Sequence, residues 1–327
     1  MNRLTFGNCN YFNEMNFTYL YKHSYSSLDE LSSIEEYDYY ISSFINSERI
    51  ILPPTKIKTK KNIWIVTKEE ENNKLLEGHC KIIIDSDENY DIMMGMANNI
   101  DVNDKEICID ATGFLIPDLL FLIRYLNSKG VNHLDIIYTE PLKYKKSEDT
   151  QFSDNFYEVK QIYGMSGTHM SKMDNDMLII AAGYDHSRIV DVANKKKTAK
   201  KVLLYGFPSI SPGMFQENVY RAFGAEPALG SECFRDMDMN IYAPAYDPFV
   251  TAQIIKEYVQ NNPYTNLYLA PLSSKPQALG LALFFLWEKG YEKNISIIYP
   301  MCKNYLHDNS EGIARIWRYS FILPPQS

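Results

Sequence analysis

The sequence predicts an α/β protein made of two similar Rossmann-like units with mostly parallel sheets, related by an internal duplication. Three observations lead to this prediction: short continuous apolar runs, helix-length segments between them, and a repeat in which both recur. A chain of 327 residues is long enough for two domains of ordinary size. We expect a first unit over residues 1–150, with an aromatic-rich N-terminal segment, and a second unit over residues 151–327.

Eight short apolar runs are the candidate strands. Each run is continuous and does not alternate with polar residues, a pattern typical of strands that are buried on both faces of a parallel sheet. The runs are Ile63–Val66, Lys81–Ile84, Ile107–Ile109, Leu134–Tyr138, Met177–Ile180, Val202–Tyr205, Leu267–Leu269 and Ile295–Tyr299. Helix-length segments such as 117–129 and 277–289 separate them, and this alternation favours open Rossmann-type sheets. The alternative, a helical protein with apolar patches, does not explain the β-branched, tyrosine-ended runs.

Residues 107–144 and 267–305 form the internal repeat, aligned with one inserted residue at Glu292. Both segments are expected to form a strand, a polar loop, a helix with proline in its first turn, and a strand ending in Ile-Ile-Tyr. The identical pairs are Leu119 with Leu279, Leu126 with Leu286, Lys129 with Lys289, Gly130 with Gly290, Ile136 with Ile297, Ile137 with Ile298, Tyr138 with Tyr299, and Tyr144 with Tyr305. These matches predict a duplicated unit; the alternative is that any two such segments look alike once their apolar positions are aligned.

The loops after the strands are where a ligand would bind, because open α/β sheets bind ligands beyond the carboxyl ends of their strands. The predicted ligand-binding residues are Asp110, Thr112, Gly113, Phe114, Ser273, Ser274 and Lys275, with Tyr138 and Tyr299 at two strand ends. Both loops lead into a helix N-terminus, where free N–H groups favour a phosphate or carboxylate. In the alternative interpretation, Thr112 and Ser274 only cap helices, and Tyr138 and Tyr299 only close the core.

A second set of polar residues would serve catalysis if the protein were an enzyme. Asp185, His186 and Arg188 follow one candidate strand, and Glu140 follows another. His186 beside Asp185 would then act as an acid or base, although loop histidines are commonly exposed and inert. The sequence has no GxxxxGK[ST] phosphate loop, no GxGxxG dinucleotide loop and no GxSxG nucleophile elbow.

Charge and cysteine usage exclude several classes of protein. The 33 Lys and Arg against 41 Asp and Glu give a net charge of −8, which disfavours general nucleic-acid binding but allows a local basic pocket. The five cysteines and six histidines are scattered without metal-ligand spacing, so we expect no metal, no cofactor and a reducing, cytoplasmic setting. The sequence contains no run of about 18 apolar residues, so it predicts no membrane-spanning helix.

The loop Asp110–Gly113, which follows a buried strand in a unit that occurs twice, is similar to loops of the CARF and SAVED sensor domains of prokaryotic antiviral systems. In that superfamily a Thr/Gly loop and the following helix N-terminus help to form a nucleotide pocket, and SAVED proteins look like fused pairs of such units. The resemblance covers residues 107–145 and 267–305. It implies ligand contacts by Thr112, Gly113, Ser273, Ser274 and Lys275. The family often has Lys-Pro after the glycines, and only the second loop, with Lys275-Pro276, has it here.

The leading hypothesis is a non-enzymatic sensor or regulatory subunit. It would bind a small anionic, nucleotide-like ligand between the two units and act through a protein partner, in antiviral defence if the resemblance holds. One alternative is an enzyme that acts on a nucleotide or a phosphorylated metabolite. The other is a structural adaptor without a small ligand, suggested by aromatic residues near the N-terminus, which are favoured at interfaces but also fill cores. These residues are Tyr11, Phe12, Phe17, Tyr19, Tyr21, Tyr37, Tyr39 and Tyr40.

Overall fold

All eight predicted runs form strands in the computed structural model, which describes residues 15–84, 90–144, 153–305 and 310–325. The strands are β1 (Lys22–Tyr25), β2 (Tyr37–Ser43), β3 (Thr59–Thr67), β4 (Cys80–Ile84), β5 (Ile107–Asp110), β6 (His133–Tyr144), β7 (Ser153–Gln161), β8 (Met177–Ala181), β9 (Lys200–Gly206), β10 (Asn240–Ala243), β11 (Leu267–Pro271), β12 (Ile295–Tyr305) and β13 (Ser310–Ile322). The helices are α1 (Glu48–Ile51), α2 (Tyr90–Asn99), α3 (Ile116–Ser128), α4 (His186–Lys195), α5 (Met214–Gly224), α6 (Glu226–Leu229), α7 (Glu232–Arg235), α8 (Pro248–Asn261) and α9 (Lys275–Trp287).

Two mostly parallel sheets share one strand order. The first sheet runs β1-β13-β6-β5-β2-β3-β4, and the second runs β10-β9-β8-β11-β12-β7. In each sheet five consecutive strands of the order are parallel: β6-β5-β2-β3-β4 and β10-β9-β8-β11-β12. Numbered along the chain within its sheet, each set has the order 3-2-1-4-5 of a doubly wound, Rossmann-type sheet, in which the strand order reverses beside the first strand. The predicted fold class, an α/β protein with two Rossmann-like units, is therefore confirmed.

The internal repeat falls on β5-α3-β6 and on β11-α9-β12, which occupy the same positions in the two sheets. Helix α9 packs against α8 and against α3, so the repeated helices meet between the sheets. Apolar side chains surround α9 almost completely, as expected of a helix buried on all sides. The origin of the repeat by duplication, and the division into domains at residue 150, stay predictions.

The two halves of the chain exchange their last strands. β7 follows β6 in the chain, yet it pairs antiparallel with β12 of the other sheet. β13 follows β12, and it pairs antiparallel with β6. The alternating residues around Trp317 do form the strand that the sequence predicts, but this strand belongs to the first sheet although residues 310–322 lie in the predicted second unit.

A buried polar network fastens β13 to β6. Arg318 donates to Asp135 at 2.8 Å from Nε and forms an ion pair of 2.7 Å through Nη2, while Ser320 donates from Oγ at 2.6 Å. Tyr37 of β2 donates its hydroxyl proton to the same carboxylate at 2.6 Å. Because Asp135 is buried and fully partnered, the network holds three strands of one sheet in register.

Among the described residues, no helix is both long and apolar enough to cross a membrane.

Candidate functional site

A cavity of about 290 Å³ lies between the two sheets, at the carboxyl ends of their parallel strands. It brings together residues from both halves of the chain, where open α/β sheets bind their ligands. The predicted residues that line it are Thr112, Gly113, Phe114 and Tyr138 from the first sheet, and Ser273, Ser274, Lys275 and Tyr299 from the second. The strand-end loops that the sequence singles out thus face one another across one cavity.

Asp110 lies below the cavity and shapes the first loop. Its carboxylate is fully buried and accepts hydrogen bonds from the Thr112 amide at 2.9 Å and from the Tyr40 hydroxyl at 3.0 Å. Burial raises the pKa of Asp110, and these hydrogen bonds oppose that shift. The hydroxyl of Thr112 in turn accepts from the Thr139 amide at 3.0 Å, so it holds the loop to the middle of β6 and does not cap α3.

The loops approach neighbouring backbone so closely that two positions require glycine. A Cβ atom on Gly113 would lie 2.1 Å from the carbonyl oxygen of Ser43, at the end of β2. A Cβ atom on Gly183, after β8, would lie 1.9 Å from the carbonyl oxygen of Leu272. Both glycines line the cavity, so its walls are partly bare backbone.

Lys275 reaches across the cavity from the second half of the chain to the first. It is the first residue of α9, and its ammonium donates to the carbonyl oxygen of Thr112. Burial and, to a lesser extent, the nearby guanidinium of Arg49 lower the pKa of Lys275 to about 7, against an opposite effect of Asp110. Ser274 accepts from the Gln277 amide at 3.3 Å and so caps the same helix, the role that the alternative interpretation of the sequence gave it.

Two arginines reach the cavity from corresponding helices. Arg49 lies in α1, which follows β2, and Arg188 lies in α4, which follows β8; these strands have the same place in their sheets. Arg49 donates from Nη1 to the carbonyl oxygen of Thr139, the residue after Tyr138 in β6, at 2.9 Å. Arg188 donates from Nη1 to the Tyr299 hydroxyl at 2.9 Å, at the matching point of β12.

Arg49 is the site residue that sequence reasoning missed. Its Nε atom is buried and has no hydrogen-bond partner among the described residues. If β2 had been recognised as the first parallel strand of its unit, Arg49 would have been recognised as the equivalent of Arg188 in the other unit. That signal was hidden because β2 does not read as an apolar run.

The cavity is electropositive. Asp185 is its one acidic lining residue within the described ranges, against the three cations Arg49, Arg188 and Lys275. Four helices of eight or more residues, α3, α4, α5 and α9, also begin at its wall. Helix N-termini present unpaired N–H groups and the positive end of the helix dipole, which adds to the attraction for an anion.

The four residues of the enzyme alternative do not come together. Asp185 caps α4 by accepting from the Ser187 amide at 3.0 Å, and Arg188 lies one turn further on; both line the cavity. His186 is exposed and does not line it. Glu140 is buried beside β13, where it accepts from Trp317 Nε1 at 2.7 Å, and burial raises its pKa.

The aromatic residues of the N-terminal segment are divided between the core and the surface. Phe17, Tyr37 and Tyr40 are buried, Tyr39 is partly buried, and Tyr19 and Tyr21 are 87% and 56% exposed. Tyr11 and Phe12 lie outside the described residues. Tyr138 and Tyr299 are buried at the cavity wall, so each serves the core as well as the cavity.

No group of three or more His, Cys, Asp or Glu side chains suited to a metal ion occurs in the part of the chain that the structure describes.

The fold is that of a Rossmann-like α/β protein, and Arg49, Arg188 and Lys275 line the cavity between its two sheets. No protein-family model matches the sequence, and no curated protein matches it. Among solved structures, the chain is similar to a CobK precorrin-6A reductase with 10% identity and a TM-score of 0.24, over 82% of this chain and 91% of that chain. So low a TM-score supports no inference about function.

Proposed function

We propose that this protein is a non-enzymatic sensor or regulatory subunit that binds a small anionic, nucleotide-like ligand between its two sheets. The observation that carries the proposal is the convergence of Arg49, Arg188 and Lys275 on one cavity, where Asp185 is the single acid among the described lining residues. In a chain of net charge −8, such a concentration of cations is a local departure from the overall charge. It suits a bound anion because charge-assisted hydrogen bonds are stronger than neutral ones.

The size of the cavity limits the ligand. A volume of about 290 Å³ lies at the lower end of the range of about 300–1,000 Å³ that is usual for small-molecule sites. We therefore expect one small molecule and not a polymer. The buried tyrosines Tyr138 and Tyr299 and the apolar Phe114 and Ile210 supply a partly apolar lining for the uncharged portion of that molecule.

The distribution of titratable groups favours binding over catalysis. His186, which would have been the acid or base, is outside the cavity, and Glu140 is engaged with Trp317. The polar groups of the first loop are engaged within the fold, because Asp110 and Thr112 bind backbone amides. The polar groups of the loop therefore hold the backbone, while the cationic side chains line the cavity. This arrangement is suited to retaining an anion.

Helix α5 offers a route from the cavity to a protein partner. Met214 and Asn218 line the cavity, while Tyr220 and Phe223 on the same helix are 76% and 53% exposed. A ligand that displaced α5 would therefore displace exposed aromatic side chains, which are enriched at protein interfaces. If the similarity to CARF and SAVED domains extends to function, the pathway is prokaryotic antiviral defence.

Isothermal titration of the full chain with nucleoside mono-, di- and triphosphates and cyclic oligonucleotides tests the proposal. We expect a member of this panel to bind, and Arg49→Met and Lys275→Met each to weaken its binding by about tenfold or more, the effect of one charged hydrogen bond. Lys195→Met, which removes an exposed ammonium at the far end of α4, is the control and should bind normally. Absence of binding by the wild type, or unchanged binding by both cavity variants, would refute the proposal.

A further inference from the structure

The two ends of the cavity carry different charge, although their frameworks correspond. Arg49 and Arg188 occupy matching helices, but the repeat places Leu115 in the first loop where Lys275 stands in the second. Because Lys275 crosses to Thr112, its charge is added to the Arg49 end and not to the Arg188 end. The difference lies in the side chains and not in the fold.

At the Arg49 end, the two cations bind neutral acceptors. Arg49 donates to the carbonyl of Thr139 at 2.9 Å, and Lys275 donates to the carbonyl of Thr112. Arg49 and Lys275 are also close enough to repel each other electrostatically. The carboxylate of Asp110 lies below the lining, where Thr112 and Tyr40 engage its oxygens, and it offsets part of this positive charge. With two cations and one carboxylate, this end of the cavity keeps an excess of positive charge for an anion.

At the Arg188 end, charge is already balanced. The Asp185 carboxylate lies 3.9 Å from Arg188 Nε, and the guanidinium packs 5.2 Å from the centre of the Tyr299 ring. Asp118, in the first turn of α3, adds a second negative influence on Tyr299. Because the Asp185 carboxylate already offsets the charge of Arg188, this pair has little remaining attraction for a dianion.

We infer that the ligand carries a terminal phosphomonoester, and that this group binds between Arg49 and Lys275 while the rest of the ligand lies toward Arg188 and Tyr299. The inference rests on the proposed function and adds to it the class and orientation of the ligand. A phosphomonoester has a charge of about −1.5 to −2 at pH 7 and three acceptor oxygens. It can accept from Arg49 Nε, which is buried and has no partner among the described residues, and from the ammonium. A phosphodiester has one negative charge and two free oxygens, so it offers Arg49 and Lys275 less charge and one acceptor fewer than a phosphomonoester does.

The lowered pKa of Lys275 is consistent with this assignment. A lysine that holds its proton weakly beside Arg49 gains most from a ligand with two negative charges, because such a ligand restores the ammonium. Ser273, which lines the same wall, adds a hydroxyl for a further hydrogen bond.

Matched ligands distinguish the two kinds of phosphate. The full chain is titrated at pH 7 with adenosine, guanosine, cytidine and uridine 5′-monophosphates and with the corresponding 3′,5′-cyclic monophosphates. Each pair shares a base and a ribose and differs in one ester bond. We expect the monoester of the preferred base to bind about tenfold or more tightly than its cyclic partner, and Arg49→Met or Lys275→Met to abolish that preference. Lys195→Met, with thermal melting as the check on folding, should retain it.

The possible failures are distinguishable. Equal or tighter binding of the cyclic phosphates would overturn the inference and leave the proposal of an anion-binding sensor intact. A preference for monoesters that survives both Arg49→Met and Lys275→Met would overturn the placement of the phosphate. If the wild type binds neither these ligands nor the wider panel of nucleotides, the proposed function itself is refuted.

Discussion

The loops after β5 and β11 occupy equivalent places in the two sheets but have different tasks. The first loop contains a buried acid, Asp110, whose oxygens hold Thr112 and Tyr40 in place. The second loop has Ala270 at the equivalent position and instead ends in Ser274, which caps α9, and Lys275, which reaches the cavity. The comparison shows that a repeated strand-loop-helix unit can supply rigid backbone on one side of a site and charge on the other.

The largest effect is expected from Asp110→Ala, which gives the first loop the residue type found at the equivalent position of the second. If the loops were interchangeable, alanine would be tolerated, because Ala270 stands at the matching place. We expect instead a loss of about 3 kcal/mol in the free energy of unfolding, since the buried Thr112 amide and Tyr40 hydroxyl lose their acceptor. Urea denaturation measures the loss. Asp110→Asn keeps one acceptor oxygen and should lose clearly less; equal stability of the alanine variant and the wild type would contradict the comparison.

A smaller effect is expected from alanine at the two close approaches. Gly113→Ala and Gly183→Ala each place a methyl group against a backbone carbonyl, and overpacking of this kind costs about 1–3 kcal/mol. The two variants should be similarly destabilised, because the approach occurs in both halves of the chain. Gly224→Ala, where a Cβ would meet only ordinary contacts at 3.6 Å, is the control for thermal unfolding. A tolerated substitution at either position would show that the corresponding loop is free to move.

The remaining prediction concerns the pH dependence of stability. Because the pKa of Lys275 falls from 10.5 to about 7 on folding, the unfolded chain binds the extra proton between those values. The wild type should therefore gain stability relative to Lys275→Met as the pH rises from 7 toward 10. Urea titrations of both proteins at several pH values measure this difference, and Lys195→Met is the charge control. A constant difference between wild type and Lys275→Met would show that the ammonium is not desolvated.

The sequence predicted eight of the ten parallel strands, all but β2 and β10, and the loops that follow them, because these depend on local patterns. Continuous apolar runs such as Ile63–Val66 mark buried strands, and the cavity loops follow from the rule that ligands bind at strand ends. β2 was missed because it reads Tyr-Asp-Tyr-Tyr-Ile-Ser-Ser, with one aliphatic residue. Its buried tyrosines are tolerated because their hydroxyls reach Asp135 and Asp110, partners that are distant in the chain.

Non-local pairing explains what else could not be predicted. The place of Arg49 depends on β2, and the places of β7 and β13 depend on which sheet offers a free edge. A strand pattern shows that β13 forms, but it does not show which strand will pair with it. The charge contrast across the cavity likewise requires that Lys275 cross to Thr112, a contact between residues 163 positions apart.

The exchange of β7 and β13 determines the order in which the two sheets can be completed during synthesis. Synthesis proceeds from the N-terminus, so β6 leaves the ribosome well before its neighbour β13, which follows all of the second sheet's strands in the chain. Until then one edge of the first sheet has unpaired N–H and C=O groups, a condition that invites association with other chains. A nascent chain that still lacks β13, or a chain truncated before it, is therefore the vulnerable form of this protein, and the emergence of β13 is the event that covers this edge of the first sheet.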